Sequence, residues 1–192
     1  MQSVNLHNRP RSHTSGASSI SRVYAALLLV ALTFSLQPAS AETAAPAGGS
    51  GLPVPRFVSL KSERVNVRGG PTREHDVTWI YTRSGLPVEV TAEFDNWRRI
   101  RDWEGAEGWV FHSMLSGRRT ALATASSKDK SALLPVFDKP APQAAVVARL
   151  QPGVVGAVKK CTEGWCRFTG QGFDGWIQQE RLWGVYPNEK VE

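Results

Sequence analysis

Short runs in which apolar and polar residues alternate recur along the chain after residue 55. The segment 88–115 contains three such runs, separated by turn signals at Asp95-Asn96 and at Glu104–Ala106. Alternation with a period of two is typical of half-buried strands, and Asp, Asn and Gly are common turn residues. The pattern therefore predicts a three-stranded antiparallel meander, which is about the smallest sheet that keeps its shape.

The same order of strands and turns returns at 154–182. Trp97 and Trp165 are 68 positions apart, and Trp109 and Trp176 are 67 positions apart. A repeat of this length indicates a duplicated domain, because solenoid repeats are much shorter. Neither copy shows helical periodicity of useful length, so the predicted fold class is all-β.

The first 41 residues predict a secretory signal peptide rather than a folded element. A basic lead-in precedes an apolar run at 23–36, and Ala39-Ser40-Ala41 is a small-residue cleavage site. A retained membrane anchor is the alternative, but the apolar run is shorter than the roughly 20 residues that a span needs. We expect a cleaved leader at 1–41, a periplasmic protein without a transmembrane segment in its mature part, and a flexible Ala/Gly/Pro-rich linker at 42–55.

Loss of the leader also changes the charge. It removes three arginines and no acid, so the net charge falls from +6 to +3. This balance is too mild to favour nucleic acid as a partner. Basic residues still cluster at 98–101 and 118–119, where a solvated face is the favoured interpretation and a patch for acidic wall polymer or lipid head groups is the alternative.

The only two cysteines, Cys161 and Cys166, flank a predicted hairpin turn. Residues on opposite sides of a hairpin neck meet the short Cα separation of a disulfide, and an exported protein meets an oxidising compartment. The sequence favours a structural disulfide that contributes about 2 kcal/mol. A redox pair and a zinc site are the alternatives, although the spacer is not the usual two residues and two further zinc ligands are missing. No metal or cofactor is expected.

These signals divide the mature chain into a first domain at 56–125, a polar linker at 126–131 and a second domain at 132–189. The runs 119–123 and 183–186 are predicted to be the strands that close each sheet. Each domain is near the size at which one apolar core is only just sufficient.

Several motifs resemble the bacterial Src-homology-3 (SH3-like) domain family. They are VNVRGGP at 65–71, NWRRIRDWEG with EGWV in the first copy, and GWC, GWI and LWGVYP in the second. The resemblance covers both copies. Taken together, the motifs are similar to those of an exported tandem subfamily found in Gram-negative bacteria. It implies two small, partly open β-barrels, and by itself no activity. The second copy has a degenerate opening motif, with Pro135 and Phe137 in place of Asn66 and Arg68.

No set of residues predicts catalysis. His112 and Ser113 are adjacent, so on a strand they point to opposite faces. Cys161 and Cys166 are expected to be bonded to each other, which leaves no thiol nucleophile. Glu89 and Glu93 are interpreted as a solvated strand face. The prediction is a protein that is not an enzyme.

Binding is the remaining class of function. The family resemblance implies peptidoglycan stem peptides as ligands, and arginines bind carboxylates as bidentate donors. We expect a non-catalytic module that binds peptidoglycan or a cell-envelope protein. The alternatives are a periplasmic scaffold or regulator of a wall enzyme without wall affinity and, third, a redox or metal protein. The residues predicted to contact a ligand are Arg68, Trp79, Tyr81, Arg98, Arg101 and Trp103.

Overall fold

The computed structural model of the chain describes residues 49–125 and 131–192. These residues form fourteen β-strands and two single-turn 3₁₀ helices, with no α-helix among them, so the all-β prediction is confirmed. The predicted leader at 1–41, half of the predicted linker at 42–55 and most of the one at 126–131 lie outside the described residues. In the part of the chain that is described, no helix is long and apolar enough to cross a membrane.

The first barrel is one antiparallel sheet. Its strands are β1 (Arg56–Leu60), β2 (Val65–Arg68), β3 (Val77–Tyr81), β4 (Pro87–Phe94), β5 (Trp97–Arg101), β6 (Glu107–Phe111) and β7 (Leu115–Ser116). Their spatial order is β3-β2-β6-β5-β4-β1-β7. A 3₁₀ turn at His112–Met114 connects β6 to β7.

The second barrel repeats this plan. Its strands are β8 (Thr120–Ala123), β9 (Leu134–Phe137), β10 (Val146–Leu150), β11 (Val155–Thr162), β12 (Trp165–Gly170), β13 (Phe173–Gln178) and β14 (Leu182–Trp183). Their order is β10-β9-β13-β12-β11-β8-β14, which matches the first sheet strand for strand. A 3₁₀ turn at Gln179–Arg181 precedes β14.

Strand β8 corrects one prediction. The sequence predicts that 119–123 closes the first sheet, but Thr120–Ala123 pairs with β11 and β14 of the second sheet. The edge it would have closed is already filled, because β7 pairs with β1. Ala121 and Ala123 are fully buried in the second core. The second sheet therefore begins before the 126–131 segment, not after it.

Each sheet curls around its own apolar core. Tyr81 on β3 and Leu115 on β7 contact the same cluster, although these strands are the two ends of the first sheet. The largest fully buried side chains include Leu60 and Ile100 in the first barrel and Phe168 in the second. Burial of each such side chain contributes about 1.5–3 kcal/mol, so these cores supply the main stabilisation of two small domains.

A glycine at equivalent places lets β6 and β13 approach the strands beside them. A Cβ atom at Gly108 would lie 2.4 Å from Val67 Cγ1, and one at Gly175 would lie 2.6 Å from the Phe137 carbonyl oxygen. A larger residue would push each strand off its core. The glycine of the Gly-Trp pair that recurs in the sequence is therefore a packing requirement of both barrels.

The two barrels pack directly against each other. Leu122, Val155 and Trp183 of the second barrel contact the core cluster of the first. The Phe57 ring lies 5.2 Å from the Trp183 ring and 4.7 Å from the Tyr186 ring. Aromatic pairs at such distances stabilise beyond their buried area, so the interface between the barrels is largely apolar and aromatic.

One carboxylate lies in this interface. Glu89 is 3% exposed, and its Oε1 accepts a 2.9 Å hydrogen bond from the Tyr186 hydroxyl. The Arg101 guanidinium binds the other oxygen, Oε2. Burial, and then the hydrogen bond to Glu89, raise the pKa of Tyr186 above its ordinary value. The prediction that Glu89 and Glu93 form a solvated strand face is therefore wrong, since the Glu93 side chain is also only 6% exposed and is paired with Arg98.

Candidate functional site

A groove with cationic walls and an aromatic floor lies on the first barrel. It is formed by β2, the loop after β2, the start of β5, the end of β6 and the 3₁₀ turn that follows β6. We call it the cationic groove, and its lining residues are Arg64, Asn66, Arg68, Arg73, Trp97, Phe111, Ser113 and Met114.

Strand β2 presents one wall of the groove by simple alternation. Val65 and Val67 are fully buried in the core, so Arg64, Asn66 and Arg68 point to the opposite face. Arg64 and Asn66 are exposed and Arg68 is half-buried. The buried valines therefore fix the direction of the polar side chains between them.

Two rings form the floor. Trp97 and Phe111 are 5.4 Å apart between ring centroids, with their planes at 80°. Trp97 is only 8% exposed, which anchors the pair to the barrel. The Arg73 guanidinium lies 5.9 Å from the Phe111 centroid, a distance at which a cation is attracted by the ring face. The aromatic floor thereby holds one of the cations in place.

The loop after β2 is held against the strand by Arg68. Its Nη1 donates a 2.6 Å hydrogen bond to the His75 carbonyl oxygen, and the Gly69 amide donates to the Asp76 carbonyl at 3.2 Å. A hydrogen bond from Thr72, followed by other local contacts, lowers the pKa of Glu74 below its ordinary value. Arg68 thus orders the loop that carries Arg73.

The arginines of the groove differ from most others in the described chain, because none of them has an ion-pair partner among the described residues. A guanidinium presents five donors in a planar fork. The arginines that do pair with carboxylates are Arg56, Arg98, Arg99, Arg101, Arg119, Arg167 and Arg181.

Two of the residues predicted to bind a ligand are buried. Tyr81 is 8% exposed, and its hydroxyl donates to Asp102 Oδ2 at 2.8 Å. Burial, and then this hydrogen bond, raise the pKa of Tyr81. Arg98 is 7% exposed and lies 3.0 Å from Glu93. The expectation that Tyr81 lies on a ligand-facing surface is therefore wrong, and Arg98 is engaged inside the protein.

The other predicted residues are spread over different parts of the first barrel. Arg68 lines the cationic groove, whereas Arg101 is bound to Glu89 at the interface between the barrels. Trp79 and Trp103 are half-buried and pack against the first core. The structure therefore brings Arg68 together with none of the other five, and a ligand role for the half-buried tryptophans stays a prediction.

Sequence reasoning missed Arg64, Arg73, Trp97 and Phe111 as members of this site. A signal was present for the first of them, because Arg64 alternates with the buried positions of β2 in the same phase as Arg68. No local pattern places the rings beneath these cations. Their meeting depends on the pairing of β6 with both β5 and β2.

The second barrel has a different surface at the equivalent place. Leu133, Pro135 and Phe137 follow Arg64, Asn66 and Arg68 at an offset of 69 positions. The Phe137 ring packs edge-on against Trp165 at 5.4 Å. The substituted opening motif thus yields an apolar surface in place of a cationic one.

The predicted disulfide is confirmed, since Cys161 and Cys166 are bonded across the β11–β12 hairpin. Over the described ranges, no cluster of three or more metal-ligating side chains occurs. His112 and Ser113 are exposed beside the groove, and Ser113 lines it.

The bacterial SH3 domain model matches the chain twice, at residues 61–117 and 130–184. Neither match includes the first strand of its sheet, β1 or β8. No curated protein matches the chain significantly.

Matches among the solved structures include NlpC2 and NlpC1 from Trichomonas vaginalis. Both have a TM-score of 0.31, with sequence identities of 10% and 11%. The matches cover 67% and 70% of this chain and 48% of each of those chains. The chain therefore spans about half the length of these solved structures.

Proposed function

Since the chain belongs to the bacterial SH3 domain family, we propose that it is a non-catalytic binding protein of the cell envelope. Its ligand is a wall peptide with a free carboxylate, which binds in the cationic groove of the first barrel. Domains of this family are often cell-wall-binding, which supports the role in the envelope. The proposal includes export to the periplasm with cleavage of the predicted leader at 1–41.

One observation carries the proposal: three arginines without ion-pair partners among the described residues line the same groove as two aromatic rings. Guanidinium groups and carboxylates form charge-assisted, often bidentate hydrogen bonds that are stronger than neutral ones. Short aliphatic side chains of a peptide can pack on the rings at the same time. A peptide with an acidic end therefore matches both the walls and the floor.

Co-sedimentation of the purified protein with isolated peptidoglycan sacculi tests the proposal. The double variant Arg64→Ala/Arg73→Ala removes two unpaired cations and leaves Arg68, which orders the loop, in place. Loss of two charge-assisted contacts is expected to weaken binding about tenfold or more. Arg149→Ala is the matched control, because Arg149 is exposed on β10 and has no ion pair among the described residues.

A second arm tests the carboxylate itself. A short stem peptide with a free terminal carboxylate and its C-terminal amide are compared as competitors of sacculus binding. We expect the free acid to compete and the amide to compete much less. Equal competition by both, or equal sedimentation of the double variant and wild type, would contradict the proposed site.

A protein partner is the second candidate function, and exposed apolar side chains on the second barrel favour it. Leu133, Val146 and Val147 are 52%, 39% and 51% exposed, and β10 is an edge strand of its sheet. Exposed apolar surface of this kind is often an interaction site. Cross-linking in cells that captures one defined envelope protein, together with no retention on sacculi, would favour this scaffold or regulatory function.

A further inference from the structure

A second groove follows the line where the two barrels meet. It lies between the ends of β1 and β7 in the first barrel and the faces of β8, β11 and β12 in the second. We call it the seam groove, and six of its lining residues carry the argument: Lys61, Ser84, Ser116, Arg118, Thr120 and Ala157.

Small residues keep this groove open. Ala157 and three glycines, at 85, 156 and 170, contribute almost no side-chain volume to its walls. A Cβ atom at Gly156 would lie 2.7 Å from both the Phe168 ring and the Thr169 carbonyl oxygen, so the backbone there lies directly on the core. At these positions the groove wall is therefore close to the backbone.

The charge of the groove is positive and unbalanced. Lys61 and Arg118 are exposed, and neither has an ion-pair partner in the described ranges. No aspartate or glutamate lines the groove. One ammonium group and one guanidinium group, without ion-pair partners in the described ranges, lie in a concave surface that has no carboxylate. This arrangement favours an anionic ligand.

The hydroxyl of Thr120 is the most unusual group in the groove. Thr120 is 7% exposed, and its Oγ1 is buried without a hydrogen-bond partner. Alternation along β8 places it on the same face as Leu122, which contacts the first barrel. Buried hydroxyls are normally paired, so the unpaired Thr120 hydroxyl beside the groove is a candidate partner for a polar group of a ligand.

We propose that the seam groove binds an acidic carbohydrate. Lys61 and Arg118 bind its acidic group, and Thr120, Ser84 and Ser116 exchange hydrogen bonds with its hydroxyls. Hydroxyls and aliphatic side chains line the groove, and no aromatic ring of the described residues does, which favours a hydroxyl-rich ligand over an aromatic or strongly apolar peptide. The site is separate from the cationic groove, so its test does not depend on the function proposed above.

The test is an NMR titration of the ¹⁵N-labelled protein with an oligosaccharide of three galacturonic acid units. We expect shifts concentrated at Lys61, Ser84, Arg118 and Thr120. Maltotriose, which has the same number of rings and no charge, is expected to bind at least tenfold more weakly. Absence of binding by the acidic trisaccharide, or shifts confined to other surfaces, would overturn the proposal.

Two further comparisons separate a carbohydrate site from a simple anion site. Inorganic phosphate is expected to bind at least tenfold more weakly than the trisaccharide, and equal affinity would overturn the carbohydrate assignment. The variant Lys61→Ala/Arg118→Ala is expected to weaken the trisaccharide at least tenfold. Lys160→Ala, which removes an exposed cation on β11 outside the groove, is the matched control and is expected to bind like wild type.

Thr120→Val tests the buried hydroxyl with almost no change in volume. If the hydroxyl serves a ligand, the variant binds the trisaccharide about threefold or more weakly, while its melting temperature is unchanged or higher because an unpaired polar group has been removed. Unchanged affinity would remove Thr120 from the site. Lower thermal stability with unchanged affinity would show that the hydroxyl is structural.

Discussion

The two barrels differ at the place where the paired strands of a long hairpin lead into its turn, in β4–β5 and in β11–β12. We call this place the hairpin neck, and it is closed by different chemistry in the two barrels. Glu93 faces Arg98 across β4 and β5, and Cys161 faces Cys166 across β11 and β12. The two pairs are 68 positions apart in sequence. The first is an ion pair of 3.0 Å and the second is a disulfide, so a buried salt bridge and a covalent bond occupy the same place in the fold.

Both necks also hold a segment of chain outside the meander. Glu93 accepts hydrogen bonds from Arg56 and from the hydroxyl and amide of Ser50, at 2.5, 2.8 and 2.6 Å respectively. The Cys161 amide donates to the Val191 carbonyl oxygen at 2.9 Å. The position is therefore an anchor in both barrels. The ionic anchor depends on pH, and the covalent one depends on oxidation.

The largest expected effect comes from Glu93→Ala. It leaves the guanidinium groups of Arg98 and Arg56 without their carboxylate, at side-chain exposures of 9% and 16%. Removal of one partner from a buried pair costs about 3 kcal/mol or more. Urea unfolding measures the loss, and Glu107→Ala, which breaks a surface ion pair of the same barrel, is the control that we expect to lose less than 1 kcal/mol.

The pH dependence of the stability of the wild-type protein is measured in the same experiment. Burial by itself raises the pKa of Glu93, but hydrogen bonds from Arg56 and Ser50 outweigh it and leave the pKa below its ordinary value. The unfolded chain then takes up a proton first as the pH falls. We expect the stabilising contribution of Glu93 to be lost progressively below about pH 4.5, and the Ala variant to lack this contribution. A similar acid profile in both proteins would contradict the ionic anchor.

Reduction of the disulfide is expected to have the next largest effect. The bond closes a short loop, for which the chain-entropy model gives about 2 kcal/mol. The urea midpoint of wild type is therefore expected to fall in dithiothreitol. Cys161→Ala/Cys166→Ala is the control, since its midpoint cannot respond to the reductant. An unchanged midpoint for reduced wild type would mean that hydrogen bonding to Val191 alone anchors the second neck.

Tyr186→Phe tests the interface between the barrels instead of either neck. It removes the 2.9 Å hydrogen bond to buried Glu89, and a hydrogen bond to a charged group contributes about 1.5 kcal/mol or more. Because burial and Glu89 raise the pKa of Tyr186, the unfolded chain loses this proton first as the pH rises. Wild type should lose stability above about pH 10, and the variant should lose less over the same range, as measured by thermal unfolding.

The strand pattern and the disulfide follow from the sequence because both are set by neighbours in the chain. Alternation in VNVR gives β2, and a five-residue separation around a turn gives the cysteine pair. The sheet to which 120–123 belongs does not follow, because TALA is compatible with either core. Its place is decided by which edge remains free, and β7 occupies the edge of the first sheet.

The candidate sites were harder to predict because arginines with similar local sequence have different partners. Arg98 is paired because Glu93 lies opposite it in register, and Arg101 is paired because Glu89 does. Arg64 and Arg73 have no ion-pair partner among the described residues, although nothing nearby in the sequence distinguishes them. Cross-strand register and the interface between the barrels decide which cations are available to a ligand, and neither is visible in a single sequence.

The smallest expected effect concerns a surface ion pair that occurs at the equivalent place in each barrel. Arg99 binds Glu107 at 2.6 Å, and Arg167 binds Asp174 at 2.9 Å at the equivalent place. The hydrogen bond from Arg167 lowers the pKa of Asp174 below its ordinary value. We expect Arg167→Ala to leave the melting temperature unchanged within error, because exposed pairs contribute little.

The sensitive measurement is therefore an NMR titration of the Asp174 carboxyl group. In Arg167→Ala its pKa is expected to rise toward the ordinary range, and in wild type 1 M salt is expected to move it in the same direction by screening. Arg99→Ala, which removes the equivalent arginine of the other barrel, should leave Asp174 unchanged. If Asp174 titrated alike with and without Arg167, the ion pair would have no electrostatic effect on this carboxylate and would be a coincidence of geometry.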